Sequence, residues 1–151
     1  MSNVADDILS RIVTRLRTIT TVNLYGNTLA IFEEEQEPAS PRDKDVVVLK
    51  GDTIQQEKAP CGFDEFLLPV GIVAYAIQSE QATTPIRTPL SSYAADIRKS
   101  LGVEQLDEGR QFINIEWPEP DQYFTEAAPA SVQLVPHFRY RTLRNNPNAQ
   151  S

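Results

Sequence analysis

The sequence is poor in the residues that build disulfides, zinc sites and thiol or imidazole chemistry. It has one cysteine, Cys61, and one histidine, His137, in 151 residues. A single cysteine excludes a disulfide within the chain, and the two residues together supply too few ligands for a Cys/His zinc site. We therefore expect neither a disulfide-stapled secreted domain nor a zinc domain, and no metal or cofactor.

Long hydrophobic runs are also missing. The longest apolar stretch, residues 66–77, contains Pro69 and Gly71 and is well short of the ~20 residues that a spanning helix needs. The opening segment, MSNVADDILS, carries acids and no basic residue, unlike a signal peptide. The hydrophobic content of 40% is enough for a core, so we expect one domain over residues 1–151 and no membrane partner.

Basic residues are outnumbered, with 14 Lys and Arg against 21 Asp and Glu, for a formal net charge of -7. This balance argues against binding nucleic acid through charge alone, because neutralising phosphates requires many cations on one face. One segment departs from it. Arg139, Arg141 and Arg144 lie close together, and no acid follows Glu126.

Catalytic motifs are not found either: there is no Gly-rich phosphate loop, no GxSxG, no HExxH and no CxxC. A Cys61–His137 pair, or Asp52 at the end of a valine-rich strand, would be the remaining starting points for catalysis. An inert thiol and a turn aspartate are favoured over those roles. We therefore expect the protein not to be an enzyme.

Hydrophobic periodicity predicts an α+β (α/β) fold. The pattern favours two helices packed on one face of a mixed, mostly antiparallel sheet of about four to five strands. Between them lie long polar or proline-rich loops, near residues 34–45, 51–63, 78–89 and 118–130, and a flexible polar tail is expected at 145–151. The predicted helices are Val4–Ile19 and 90–102, and the predicted strands are 28–34, 45–52, 66–78, 112–117 and a last strand beginning at Val132.

The last strand alternates cleanly between two kinds of side chain. Pro136 has no N–H for a ladder, which predicts an edge position or a local bulge. The odd positions place His137, Arg139 and Arg141 in a row on the outer face, with Arg144 just beyond. The even positions, predicted to face the core, are Val132, Leu134, Pro136, Phe138 and Tyr140.

The order of these elements resembles the tail-terminator (tail-completion, minor tail protein) family of tailed bacteriophages. The resemblance covers about residues 4–147. It is carried by a first helix ending in RLRTIT, the strands AIF, VVVLKGD and FLLPVGIVAYAI, a second helix ending in SLG, and a last strand that runs into FRYRTLRNNP.

The resemblance implies a virion protein of the tail or neck that assembles in the host cytoplasm. Its protomers would form a ring, typically hexameric, on the end of the tail tube. The ring stops tube growth, offers a docking surface for the head-side connector or stopper protein, and lets DNA pass through its centre without specific binding. The family has no enzyme activity and no cofactor.

Within such a ring, the basic segment of Arg139, Arg141 and Arg144 is expected to face a neighbouring subunit or the next ring. Its arginines would pair with acids of that neighbour, because a closed ring uses two complementary patches on each subunit. The alternative is pairing with acids of the same sheet, such as Glu116, or plain solvation. The residues of this hypothesis are Arg139, Arg141, Arg144, Glu33, Glu34, Glu35, Asp43 and Asp45.

Other functions remain open at this point. The protein could be another ring protein of the neck or tail, such as a stopper or a tube-like subunit. It could also be a cytosolic module that binds a protein ligand through its long loops. The least supported alternative is an enzyme that uses Asp52, His137 or Cys61.

Overall fold

The computed structural model describes residues 4–36, 38–55, 63–78, 83–102, 114–143 and 146–150. Over these residues the chain forms two α-helices, α1 (Val4–Leu16) and α2 (Arg87–Ser100), two short 3-10 helices (Thr21–Asn23 and Glu34–Gln36) and nine strands. The strands are β1 (Ala30–Glu33), β2 (Asp45–Lys50), β3 (Ile54–Gln55), β4 (Phe63–Ala76), β5 (Asn114–Glu116), β6 (Gln122–Phe124), β7 (Ala130–Leu134), β8 (His137–Leu143) and β9 (Asn146–Gln150).

The sheet is organised around β4, its longest strand. One part of the sheet has the order β1-β2-β4-β7-β6, while β8 pairs with the other part of β4 and is flanked by β5 and β9. Among the strands that the structure describes, β1 and β2 run parallel and the other pairs are antiparallel. The predicted class, α+β with a mixed and mostly antiparallel sheet, is confirmed. The sheet is larger than the four to five strands expected, because several of its strands are too short or too polar to show alternation.

Strands β7 and β8 follow one continuous register against β4. Ile72 is opposite Leu134 and Leu68 is opposite Phe138, on either side of a break at residues 135–136. Pro136 lies in this break, and its carbonyl accepts a hydrogen bond from the Val70 N–H at 3.0 Å. The predicted local irregularity at the proline is therefore present. The alternative of an edge strand is wrong for β8, which has β4 on one side and β5 and β9 on the other.

The hydrophobic core lies between the two helices and one face of the sheet. All five even positions of the last segment are buried as predicted. Fully burying a Val, Leu or Phe side chain contributes ~1.5–3 kcal/mol, so this layer is a substantial part of the stabilising core. Among the fully buried side chains are Ile8, Ile12 and Leu16 of α1, Leu90 and Ile97 of α2, and Leu68, Ile72 and Phe138 of the sheet.

Both helices differ from their predicted ends for local reasons. Helix α1 ends at Leu16, three residues early, where the Thr18 hydroxyl donates a hydrogen bond to the Arg15 carbonyl at 2.6 Å. Helix α2 begins at Arg87 and includes Pro89 in its first turn. A proline is tolerated there because the first N–H groups of a helix have no partner within it.

The segment 145–151 was predicted to be a flexible polar tail, and the structure describes residues 146–150 of it as a strand. They form β9, which pairs with β8 with an irregularity between Thr142 and Leu143. Backbone pairing along an open strand edge needs no hydrophobic alternation, so the polar sequence gave no signal for it. The loops near 51–63 and 118–130 likewise contain the short strands β3 and β6.

Two arginines of α2 hold the proline-rich loop after β5 against the helix. The Arg98 guanidinium stacks on the Trp117 ring at 4.3 Å and also forms an ion pair with Asp121. The Arg87 guanidinium lies 4.0 Å from the centre of the Tyr123 ring. Trp117 and Tyr123 also pack against the core, as expected for anchoring aromatics.

Neither described helix has the length and hydrophobicity that crossing a bilayer requires.

Candidate interaction surfaces

The sheet has a second face that neither helix covers, which we call the helix-free face. Because side chains alternate along a strand, the residues between the core positions lie on this helix-free face. They include Val47, which is itself buried. In register across β1, β2 and β4, Phe32 lies beside Val47 and Val47 beside Val73. Phe32 and Val73 are half-buried. This part of the helix-free face is therefore apolar although it lies outside the core.

The other part of the helix-free face carries charges, centred on Arg139. Its Nη2 atom donates a hydrogen bond to Glu116 Oε1 at 2.8 Å, and its Nη1 atom lies 3.5 Å from Glu65 Oε2. The pKa of Arg139 is raised above its ordinary value, mainly because of the hydrogen bond to Glu116. We call Glu65, Glu116, Arg139 and Arg141 the ion-pair strip. Arg139 thus pairs with its own sheet, the alternative stated for Glu116.

Arg141 is held less firmly than Arg139. Its Nε atom lies 3.6 Å from Glu65 Oε1, longer than a hydrogen bond, and this buried Nε has no hydrogen-bond partner among the described residues. Its side chain is 37% exposed, against 26% for Arg139. Arg141 is therefore the member of the strip with most freedom to meet an outside acid. Arg144, the third predicted arginine, lies outside the described residues.

The predicted acids fall into two groups. Glu33 and Glu34 are exposed, and with Asp6, Leu9 and Val13 of α1 they line a groove between the helix and the sheet. Lys50 also lines this groove and forms an ion pair with Asp6 at 2.6 Å. An apolar floor with acids at its rim suits a long basic side chain. Glu35 lies in the 3-10 helix next to them.

Asp43 and Asp45 have partners inside the protomer. Asp43 Oδ1 accepts hydrogen bonds from the Tyr93 hydroxyl at 2.8 Å and from the Ile77 N–H at 3.2 Å. Burial first, and then the hydrogen bond and charge of Asp43, raise the pKa of Tyr93. Asp45 is buried and accepts from the Arg42 N–H at 2.8 Å. The structure thus brings these two acids into the turn before β2, away from the groove.

The residues proposed for other chemistry are not brought together. His137 lies on the helix-free face, in register with Glu116 and Pro69, whereas Asp52 is exposed in the turn after β2. Cys61 lies outside the described residues. Among the residues that the structure describes, no group of three or more His, Cys, Asp or Glu side chains is placed to hold a metal ion.

A surface that the sequence interpretation missed is the loop between α1 and β1. Residues 20–28, which we call the apolar loop, expose Val22 at 88% and Leu24 at 85%. Leu24 also has a left-handed backbone, with φ of 69°, an unusual conformation for leucine. The sequence TITTVNLYGN has no helical period and ends in Tyr-Gly-Asn, a turn signal. Val22 and Leu24, apolar residues placed among polar ones with no periodicity, were the available signal.

Comparison with models of known protein families gave no match, and neither did comparison with curated proteins.

Proposed function

We propose that this chain is a structural protein of a phage virion, a tail-terminator protomer. In this role identical protomers form a ring, taken as a hexamer, on the end of the tail tube. The ring ends tube polymerisation and provides the docking surface for the head-side connector. DNA passes through the ring, and neither catalysis nor a cofactor takes part. The family assignment rests on the resemblance in element order and motifs described above.

The observation that supports an assembling protein best is the uneven construction of the sheet. Its two helices pack on one face, while the helix-free face presents half-buried apolar side chains beside the ion-pair strip. Apolar area next to arranged charges is the composition of a protein interface, with a desolvated centre and a polar rim. A protomer whose contacts are made by surfaces of this kind suits a ring.

The contacts within the protomer refine which charges we assign to the ring interface. Arg139, Asp43 and Asp45 already have internal partners. We therefore assign the inter-subunit pairing to Arg141, together with Arg144, and to the acids of the groove, Glu33 and Glu34. Exposed pairs contribute ~0–1 kcal/mol each, so they would fix the register of the subunits more than the strength of assembly.

The acidic balance of the chain suits a ring through which DNA slides. A net charge of -7 per protomer repels the phosphate backbone and keeps phosphate contacts few. A channel that bound DNA tightly would retard its passage.

The test is the mass of the purified protein by light scattering, alone and with polymerised tail tube, with negative-stain images of both. We expect a species of six times the 16.9 kDa protomer, formed alone or on tube ends, and tubes that stop growing when it is added. A stable monomer that leaves tube growth unchanged would contradict the proposal and favour a protein-binding module.

A charge-reversal pair tests the interface assignment. Glu33→Lys with Glu34→Lys changes two exposed groove acids and is expected to abolish or weaken ring formation. Glu119→Lys with Asp52→Lys makes the same change in net charge at two exposed sites that do not line the groove and is the matched control. If the first variant assembles as well as the control, the groove acids have no part in the ring.

A further inference from the structure

The apolar loop is built as a rigid support for two exposed side chains. Thr20 Oγ1 accepts a hydrogen bond from the Asn23 N–H at 3.2 Å, and Asn23 Nδ2 donates to the Thr18 carbonyl at 2.8 Å. The Thr21 N–H donates to Thr28 Oγ1 at 3.1 Å, which closes the base of the loop. These contacts fix the backbone without covering the tip. Val22, within this frame, therefore stays almost fully exposed.

Helix α2 holds the loop from the other side. The buried carboxylate of Asp96 accepts hydrogen bonds from the Gly26 N–H at 3.3 Å and from Asn27 Nδ2 at 2.9 Å. Lys99 Nζ donates to the Leu24 carbonyl at 3.3 Å and lies 4.8 Å from the centre of the buried Tyr25 ring. A left-handed backbone is energetically costly for leucine. Because so many hydrogen bonds hold this one in place, we infer that the conformation is retained because it exposes the Leu24 side chain.

A second apolar surface lies at the other end of α2. It is an open pocket of about 400 Å³. Small side chains form most of its wall, which leaves a concavity beside Ile77, itself 52% exposed. Phe124, 47% exposed, comes directly before the loop that forms one wall. The apolar lining residues are Ala76, Ile77, Ile86, Ala127, Ala128, Pro129 and Ala130.

These two surfaces account for most of the exposed apolar bulk in the part of the chain that the structure describes. Five large hydrophobic side chains are exposed there: two on the apolar loop, two at or beside the pocket, and Ile54. The loop contacts α2 at Ser92, Asp96 and Lys99, whereas the pocket touches its start at Ile86. The loop and the pocket of one protomer do not cover each other, because both remain exposed.

The charges around the two surfaces are complementary. The apolar loop is accompanied by two exposed cations, Arg17 and Lys99. At the pocket, the exposed Glu126 sits between two lining residues, Thr125 and Ala127. Arg87 directly follows the lining residue Ile86, and its guanidinium stacks on the Tyr123 ring.

We propose that the apolar loop of one protomer, with Val22 and Leu24 as anchors, seats in the Ile77–Ile86–Ala127 pocket of a second copy of this chain. The two patches differ, so the contact is heterologous and is repeated around a ring or along a filament. This inference rests on the proposed function, since it assigns a contact between ring subunits. The charged pairs at its rim fix orientation, whereas burial of the two anchors supplies most of the affinity.

Cysteine cross-linking tests this contact directly. In a Cys61→Ser background, Leu24→Cys protein is mixed with Ala127→Cys protein under mild oxidation. The matched control mixes Leu24→Cys with Glu119→Cys, which carries its thiol at an exposed site away from the pocket. We expect the first mixture to form disulfide-linked dimers at least about tenfold faster, since the variant keeps Val22, and burying that anchor is worth at least about a factor of ten in association.

Two surface variants provide the second measurement, by light scattering. Leu24→Asn removes the anchor but keeps a residue type that tolerates the left-handed backbone. Ala127→Trp fills the pocket from an exposed position. Both are expected to weaken assembly by about tenfold or more while circular dichroism stays unchanged.

The outcomes separate this inference from the proposed function. Assembly and tube capping with no cross-link above the control, and with Leu24→Asn assembling normally, would overturn the contact and leave the terminator role intact. Specific cross-linking in a protein that does not cap tubes would support the contact and overturn the terminator role. A wild-type protein that stays monomeric alone and with tubes would overturn both, leaving the loop and pocket to another protein.

Discussion

The contact between Arg139 and Glu65 allows a prediction whose size follows from the geometry. Glu65 has a side chain only 9% exposed, and Arg139 lies 3.5 Å from it while also binding Glu116 at 2.8 Å. Arg139→Met removes the charge and keeps an apolar stem of similar length. The change leaves the buried carboxylate of Glu65 without the closer of its two arginines, and we expect the protein to be destabilised.

The magnitude lies between two limits. An exposed ion pair is worth ~0–1 kcal/mol, and breaking a fully buried one costs ~3–5 kcal/mol. Here the acid is buried but the arginine is a quarter exposed, and Arg141 remains 3.6 Å from the acid. We expect a loss of about 2 kcal/mol in the free energy of unfolding, or a fall in Tm of about 4–8 °C.

Urea unfolding followed by circular dichroism measures this loss. Arg141→Met is the matched control, and because its contact is longer and more exposed we expect it to cost no more than about 1 kcal/mol. In a double-mutant cycle with Glu65→Gln, the coupling to Arg139 should be about 1–2 kcal/mol. A loss below about 0.5 kcal/mol for Arg139→Met, or single changes that simply add, would refute the reasoning.

Three further predictions concern stability. Gly51→Ala should cost about 1–3 kcal/mol in urea unfolding, because its Cβ would lie 2.7 Å from the Pro69 carbonyl oxygen, whereas Gly102→Ala, with only ordinary contacts, should change little. The pKa of Tyr93 is raised in the fold, so its contribution is fully present below the unfolded value near pH 10 and is lost as pH rises further. The Tyr93→Phe variant should therefore lose less free energy of unfolding than wild type between pH 9 and pH 11, measured by urea unfolding at each pH. Leu24→Asn should raise the free energy of unfolding by about 0.5–1 kcal/mol, by relieving the left-handed leucine; an unchanged or lower value would contradict the strain argument.

The sequence predicted the elements whose side chains alternate or recur at helical spacing. Burial imposes those patterns, so α1, β2, β4 and the segment of Phe138 and Tyr140 were all anticipated with their buried faces. The short strands β3, β6 and β9 were not, since each is held by backbone pairing with the next or the preceding strand, which requires no alternation of side chains. The patterns that record burial are blind to that kind of contact.

The candidate surfaces were anticipated unevenly for a similar reason. Alternation placed Arg139 and Arg141 on the outer face, but it gives faces and not distances, so the pairing with Glu65 could not be derived. Asp45 looked like a surface acid because it lies in a polar segment, yet it closes a turn through the Arg42 N–H. The exposure of Leu24 depends on contacts with α2 that no local pattern records.

The position of β8 has a consequence for how the protein is made. This strand supplies Phe138, which is fully buried, and it pairs with a part of β4 that precedes it by much of the chain. A nascent chain therefore displays β4 with an unpaired edge until β8 has been synthesised, since loop closure over such a separation comes late and slowly. Copies of the protein that are still being translated would lack a finished sheet. In the proposed ring, self-association would then be timed by translation, and only completed protomers would be competent to assemble.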